Sequence, residues 1–167
     1  VSEAAQETDA RPTVYVETSV ISYLAAHPSA DLIVRGHQKS TGDLWARRED
    51  LLLYASPLVV DEATAGDPVM VGKRLAILQQ LTLVDVTPEV DQLANDLIRY
   101  GPLPRKAGND AIHIAAAGMN GLEYLITWNL KHIANPAMRR RIEAVCRSFG
   151  IEPPILCTPE ELMESLR

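Results

Sequence analysis

Only two cysteines, Cys146 and Cys157, occur in the 167 residues. They cannot build a disulfide framework or a four-sulfur zinc site, and they read as buried small hydrophobes in a reducing compartment. No HExxH is present, and no His/Cys set has zinc-ligand spacing. No apolar run reaches the ~18 residues of a membrane span. Residues 1–12 are polar and acidic, with no signal-peptide core, so the expected location is the cytoplasm. Internal repeats, low-complexity tracts and internal linkers are also missing. A surplus of positive charge is missing too: the net charge is −6. Taken alone, that argues against a simple cationic nucleic-acid binder. The charge is uneven, however. Residues 1–12 hold three acids and one base, and residues 152–167 hold four acids and one base, so the ends account for −5 of the total. The body between them is nearly neutral, and a nucleic-acid substrate is not excluded.

The apolar fraction is 47% and the charged fraction 23%, ordinary for a globular chain. A prior of roughly 100–200 residues per domain gives one domain, here residues 13–167 behind a loose tail at 1–12. Such a chain buries about 70% of its unfolded surface without staples. Strand signals fall at 13–16, 51–55, 81–86, 124–127 and 155–157. Helix signals fall at 20–26, at 32–48 behind a cap at Ser29 or Asp31, and at 58–65 and 69–80. Others follow at 88–100, from Asn109 or Asp110 to about 120, at 136–149, and after Thr158. One of them carries Val90, Leu93, Ala94, Leu97 and Ile98 on a single stripe. Strands alternating with helices predict an α/β fold, a three-layer α/β/α sandwich around a parallel sheet of about five strands.

Ligands of open parallel sheets bind beyond the carboxyl ends of the strands. Glu17, Thr18 and Ser19 follow the first strand, Asp61 and Glu62 come one helical turn after the second, and Thr127 and Asn129 follow the fourth. Asn109 and Asp110 start the helix leading to the fourth strand. Carboxylates gathered at one edge repel and raise one another's pKa, and a divalent cation removes that repulsion. Oxygen ligation favours Mg²⁺ or Mn²⁺ over zinc. Such an ion activates water and stabilises a phosphoryl transition state, the logic of a metal-dependent phosphodiesterase.

Four segments carry a resemblance: TVYVETSVIS at 13–22, VVDEATAG at 59–66, NDAIHIAAA at 109–117 and YLITWN at 124–129. In this order they resemble a PIN domain, and most of all the VapC-like toxins of toxin–antitoxin systems. The resemblance spans residues 13–157. It implies Mg²⁺- or Mn²⁺-dependent RNA cleavage, an antitoxin partner and a homodimer. By motif position it makes Glu17, Glu62 and Asp110 the metal-holding acids and Asn129 the fourth catalytic position, and it selects Glu62 over Asp61. Thr18, Ser19 and Thr127 match the small hydroxyl positions beside the metal, and residues 31–48 offer a docking surface for a partner. Two positions depart from the family. The first acid is usually Asp and here is Glu17, one methylene longer, and a displacement on the scale of about 1 Å can cost ~10²-fold in rate. The fourth acid is Asn129, which keeps an oxygen but loses a charge. Three carboxylates favour one ion over two.

Each residue also has a plainer reading. Glu17 suits a helix N-terminus, where negative charge is favoured. Asp110 suits a cap, and Thr127 and Asn129 suit a turn. His113, three residues after Asp110, either orients a carboxylate, contacts RNA or packs in the core. His132 either faces the site or braces its turn; His27 and His37 have no assignment. Arg139, Arg140 and Arg141 form a basic run that either holds RNA phosphates or is a solvated face; Trp45 and Trp128 either stack on bases or pack inside. A catalytically inactive PIN-like module that binds RNA or protein is the alternative function. A haloacid-type phosphatase needs an Asp-x-Asp nucleophile after strand one, which Glu17, Thr18 and Ser19 do not supply.

Overall fold

The computed structural model describes residues 10–166. Five parallel strands form one sheet in the order β3-β2-β1-β4-β5, with β1 Thr13–Val16, β2 Leu52–Ala55, β3 Thr82–Leu83, β4 Tyr124–Ile126 and β5 Ile155–Cys157. The central strand β1 is paired on both edges, so Val14, Tyr15 and Val16 are all buried. A strand covered on both faces needs apolar residues at successive positions, which this β-branched and aromatic run supplies.

Among the described residues, eight α-helices cover the sheet: α1 Thr18–Ala25, α2 Leu32–Ala46, α3 Pro57–Ala63, α4 Pro68–Leu78, α5 Pro88–Arg99, α6 Gly108–Met119, α7 Pro136–Ser148 and α8 Pro159–Ser165. Helix α1 packs against α2, α3 and α4, and α2 against α8; α5 packs against α6 and α7. The chain runs outward from β1 through β2 to β3, then crosses back to β4 and on to β5. Right-handed crossovers place the connections of these two halves on opposite faces of the sheet, which gives three layers. The direction reverses between β1 and β4, and a crevice opens beyond the strand ends at such a switch point.

Local chemistry explains most of the boundaries. Asp31 and Asp67 accept hydrogen bonds from the first backbone N–H groups of α2 and α4. Thr158 and Glu161 make a reciprocal capping box on α8. Val90, Leu93, Ala94 and Leu97 form the buried stripe of α5. Its partner α6 is buried along Ala111, Ile114, Ala115, Ala116, Ala117 and Gly118, small residues that admit close approach. A Cβ on Gly118 would stand 2.7 Å from Ile151 Cδ1. Gly121 closes the C-terminal end of α6 at φ 65°, where side-chain-bearing residues are strained.

Several expected boundaries move. The third strand shrinks to Thr82–Leu83, because it is an edge strand paired only with β2. Helix α1 begins at Thr18 rather than residue 20, since the Glu17 carboxylate itself caps it by accepting from Ser19 N. Helix α6 begins at Gly108, with Ala107 at the cap and no side-chain cap bond, which leaves the Asn109 and Asp110 side chains to other partners. Of the expected tail, residues 1–9 lie outside the described residues. Arg11 donates to the Glu49 carbonyl, and the Pro12 carbonyl accepts from Leu52 N, so these two are joined to the body. No helix among the described residues is long and apolar enough to cross a membrane.

Candidate metal centre

Glu17 leaves the carboxyl end of β1 and turns its side chain back over the start of α1. Its Oε2 accepts from Ser19 N at 3.1 Å, from Thr127 Oγ1 at 2.7 Å, and from Ser19 Oγ. Both hydroxyls are themselves fixed by the backbone after β4: Trp128 N donates to Ser19 Oγ at 2.8 Å and Asn129 N to Thr127 Oγ1 at 2.9 Å. The switch point thus ties β1 to β4 through one carboxylate oxygen. The other oxygen, Oε1, has no hydrogen-bond partner among the described residues and stands 4.0 Å from His113 Nε2. The side chain is only 9% exposed.

Glu62 arrives from the last turn of α3. It accepts from Thr18 Oγ1, from Asn109 Nδ2 at 2.9 Å and from His113 Nε2 at 3.0 Å. Partial burial pushes its pKa upward. The His113 hydrogen bond, the Thr18 hydrogen bond, the His113 charge and the Asn109 hydrogen bond outweigh that and bring it down to about 2. Glu62 is therefore a carboxylate at any ordinary pH and can only accept. Asp61, its neighbour, is exposed.

His113 projects from α6, 1% exposed. Its Nδ1 lies 2.8 Å from the Tyr15 hydroxyl, which in turn lies 2.7 Å from Ser56 Oγ. Burial drives the Tyr15 pKa well above its ordinary value, so the phenol stays neutral. Glu17, Glu62 and His113 each offer one ligand atom within 4.8 Å of the others. Of the three sequence readings of His113, two are compatible with its geometry: it is packed inside and in hydrogen-bond contact with the Glu62 carboxylate.

Asp110 lies outside that group of donor atoms. Its Oδ1 accepts from Asn129 Nδ2 at 3.0 Å, and its Oδ2 lies 2.7 Å from His132 Nδ1. Asn129 Oδ1 accepts from His132 N at 3.0 Å, so the turn after β4 closes around Asp110. His132 braces its turn and contacts an acid of the site at once. The arginine run is dispersed along α7: Arg139 pairs with Glu161 at 3.7 Å, Arg141 donates to the Gly101 carbonyl at 3.3 Å, and Arg140 is exposed. Trp128 is buried, with its ring stacked on His37 at 4.0 Å and Nε1 donating to Thr41 Oγ1. Trp45 is half-buried against the core beneath the Arg48 guanidinium. Both cysteines are buried, and burial raises the Cys146 thiol to about 11 and the Cys157 thiol to about 12.

No family model matches the chain, and no curated protein matches it in sequence. Among solved structures, the chain is similar to Mycobacterium tuberculosis VapC20, described as a toxin that cleaves the sarcin-ricin loop. The TM-score is 0.56 and the identity 17%, over 71% of this chain and 91% of that one. The fold is PIN-like. At that identity the likeness speaks for the fold, and the site's chemistry is argued from its own residues.

The residues present suit a divalent cation. Donor atoms sharing one ion at about 2.1 Å stand roughly 3–4 Å apart. His113 Nε2 is 3.0 Å from Glu62 Oε2 and 4.0 Å from Glu17 Oε1. Glu17 also presents one carboxylate oxygen without a hydrogen-bond donor among the described residues, 4.0 Å from His113 Nε2, where a cation would find an acceptor. Sequence reasoning missed Tyr15 and Ser56, and named Asn109 at this edge only as a helix start beside Asp110. The available signals were a tyrosine alternating with valines on β1 and a polar residue adjoining Asp110.

Proposed function

We propose that the protein is a metal-dependent endoribonuclease, the toxin of a toxin–antitoxin pair. Convergence of Glu17, Glu62 and His113 at the β1/β4 switch point of a PIN-like fold carries this reading. Glu17 and Glu62 hold the cation. Ser19 and Thr127 fix one oxygen of Glu17 and leave the other toward the site, while Thr18 and Asn109 steady Glu62. Asp110, held by Asn129 and His132, adds a third negative charge beside them. A bound Mg²⁺ or Mn²⁺ supplies a lowered pKa for an attacking water and charge stabilisation for the phosphodiester. A cation held by Glu17 and Glu62 would also reconcile an acidic protein with a polyanionic substrate, by offsetting the charge of the carboxylates.

The proposal includes a cognate antitoxin, a cytoplasmic location and a homodimer, on the strength of the fold. Arg139, Arg140 and Arg141 are proposed as outlying phosphate contacts. The experiment is incubation of a mixed RNA pool with and without Mn²⁺, using wild type, Glu17→Gln and Glu62→Gln. Metal-dependent cleavage lost in both variants is the expected result. RNA binding without cleavage by wild type would replace this reading with the inactive module. That second reading draws on one observation: Glu17 Oε2 already accepts three hydrogen bonds, which partly satisfies the anion without a cation.

A further inference from the structure

We propose that His113 Nε2 is a direct donor to the site's cation beside Glu17 and Glu62, and that the site thereby selects a transition ion over Mg²⁺. The inference rests on the nuclease reading for its cation and goes beyond it in the donor set. An all-carboxylate site suits Mg²⁺, whereas an imidazole donor favours first-row transition ions over Mg²⁺, Mn²⁺ the least among them. Here the third donor atom within 4.8 Å is a nitrogen, and Asp110, the carboxylate expected in that place, is engaged with Asn129 and His132.

The surroundings of His113 supply what a ligating histidine needs. Such a ring almost always donates its other N–H to a partner that fixes its tautomer. In the arrangement seen, Glu62 is an acceptor only, so Nε2 carries the proton and donates to it. Nδ1 lies 2.8 Å from the Tyr15 hydroxyl, which can donate to it or accept from it. For Nε2 to bind an ion, its proton must leave while Nδ1 holds one. Tyr15 then accepts from Nδ1 and its own hydrogen turns to Ser56 Oγ, 2.7 Å away. A neutral phenol serves both states because it donates and accepts. The Ser56, Tyr15 and His113 chain is buried throughout. Glu17 Oε1, without a donor and 4.0 Å from Nε2, faces the place the proton vacates.

The test is pulsed electron paramagnetic resonance of the full chain loaded with Mn²⁺, with Mn²⁺ and Mg²⁺ titrations by calorimetry. Wild type should show ¹⁴N coupling from a directly bound nitrogen. His113→Gln should abolish it and weaken Mn²⁺ about 10–100-fold while leaving Mg²⁺ little changed. Tyr15→Phe, which preserves ring volume, should keep the coupling and weaken Mn²⁺ by a smaller factor. Should His113→Gln fail to fold, the wild-type spectrum and Tyr15→Phe still decide. Mn²⁺ bound without nitrogen coupling, in a protein that cleaves RNA, would overturn the His113 donor and leave the nuclease standing. Neither binding nor cleavage would overturn both. Equal losses of Mn²⁺ and Mg²⁺ in His113→Gln would overturn the selectivity.

Discussion

Glu17 and Asp110 are both acids at the carboxyl edge of the sheet, and their surroundings differ in kind. Glu17 has one oxygen tied by three hydrogen bonds and the other directed toward His113 with no donor. Asp110 has both oxygens taken, one by Asn129 and one by His132. The inner half of the edge, with Glu17, Glu62 and His113, is open to a further positive group. The outer half, with Asp110, Asn129 and His132, is closed on itself. A row of acids in sequence therefore resolves into a part with an unfilled acceptor and a bracing part, distinguished by where hydrogen-bond donors have already been supplied.

The sharpest way to break that distinction is to remove one acid from each half. Glu62→Gln should weaken Mn²⁺ by about 100-fold or more, and Asp110→Asn by only about 10-fold, the range of an outer partner. Calorimetric titration of the two variants measures this. Equal losses would merge the halves and return Asp110 to the metal shell expected from the sequence.

Acid lability is the next largest effect. The pKa of Glu62 is depressed to about 2 in the folded protein from an ordinary 4.5. A depressed carboxylate contributes stability that is fully present above its unfolded pKa and is lost as pH falls through the folded one. For Glu62 the window runs from about 4.5 down to about 2, and the contribution is at most about 3 kcal/mol. Urea unfolding of metal-free protein should show wild type more stable than Glu62→Gln at pH 6, with the gap closing toward pH 2. A gap that does not change with pH would detach Glu62 from its donors.

The outer half should answer in stability more than in metal. Asn129→Ala deletes the acceptor for His132 N and the donor to Asp110, at a cost of roughly 1–3 kcal/mol. The urea midpoint should fall, with Mn²⁺ affinity moving less than in Glu62→Gln.

Much of this was legible beforehand. The order of strands and helices followed from apolar runs and caps, because those signals are local. Glu17, the pair Asp61 and Glu62, Asp110 and Asn129 could be placed at one edge because a parallel sheet gathers its strand ends, while the choice of Glu62 over Asp61 came from the family resemblance. What could not be read was which oxygens would be occupied. Asn109 looked like a helix start, yet α6 begins one residue earlier and the Asn109 amide goes to Glu62 across 47 residues of chain. Tyr15 lay inside a strand signal and Ser56 just before a helix signal; the chain of contacts they make to His113 is tertiary and periodicity does not encode it. The third strand was read too long because its apolar residues pack at an edge rather than inside a sheet.

Trp128 sits between the halves, one residue after Thr127 and one before Asn129, and provides the finest comparison. Its backbone N–H serves the inner half through Ser19, while its ring lies away from both, stacked on His37 and bonded to Thr41. With 9% of the residue exposed and one ring face already covered, little remains for a base to stack on. Trp128→Phe keeps the backbone donor and most of the ring, and loses one buried hydrogen bond. Thr41 still donates to the His37 carbonyl, so no hydroxyl hydrogen is stranded. The expected cost is about 1 kcal/mol in urea unfolding, with Mn²⁺ and RNA affinity unchanged. If RNA affinity instead fell with stability intact, the ring would be a nucleotide contact, and the bracing part of the edge would have to be redrawn to include a substrate surface.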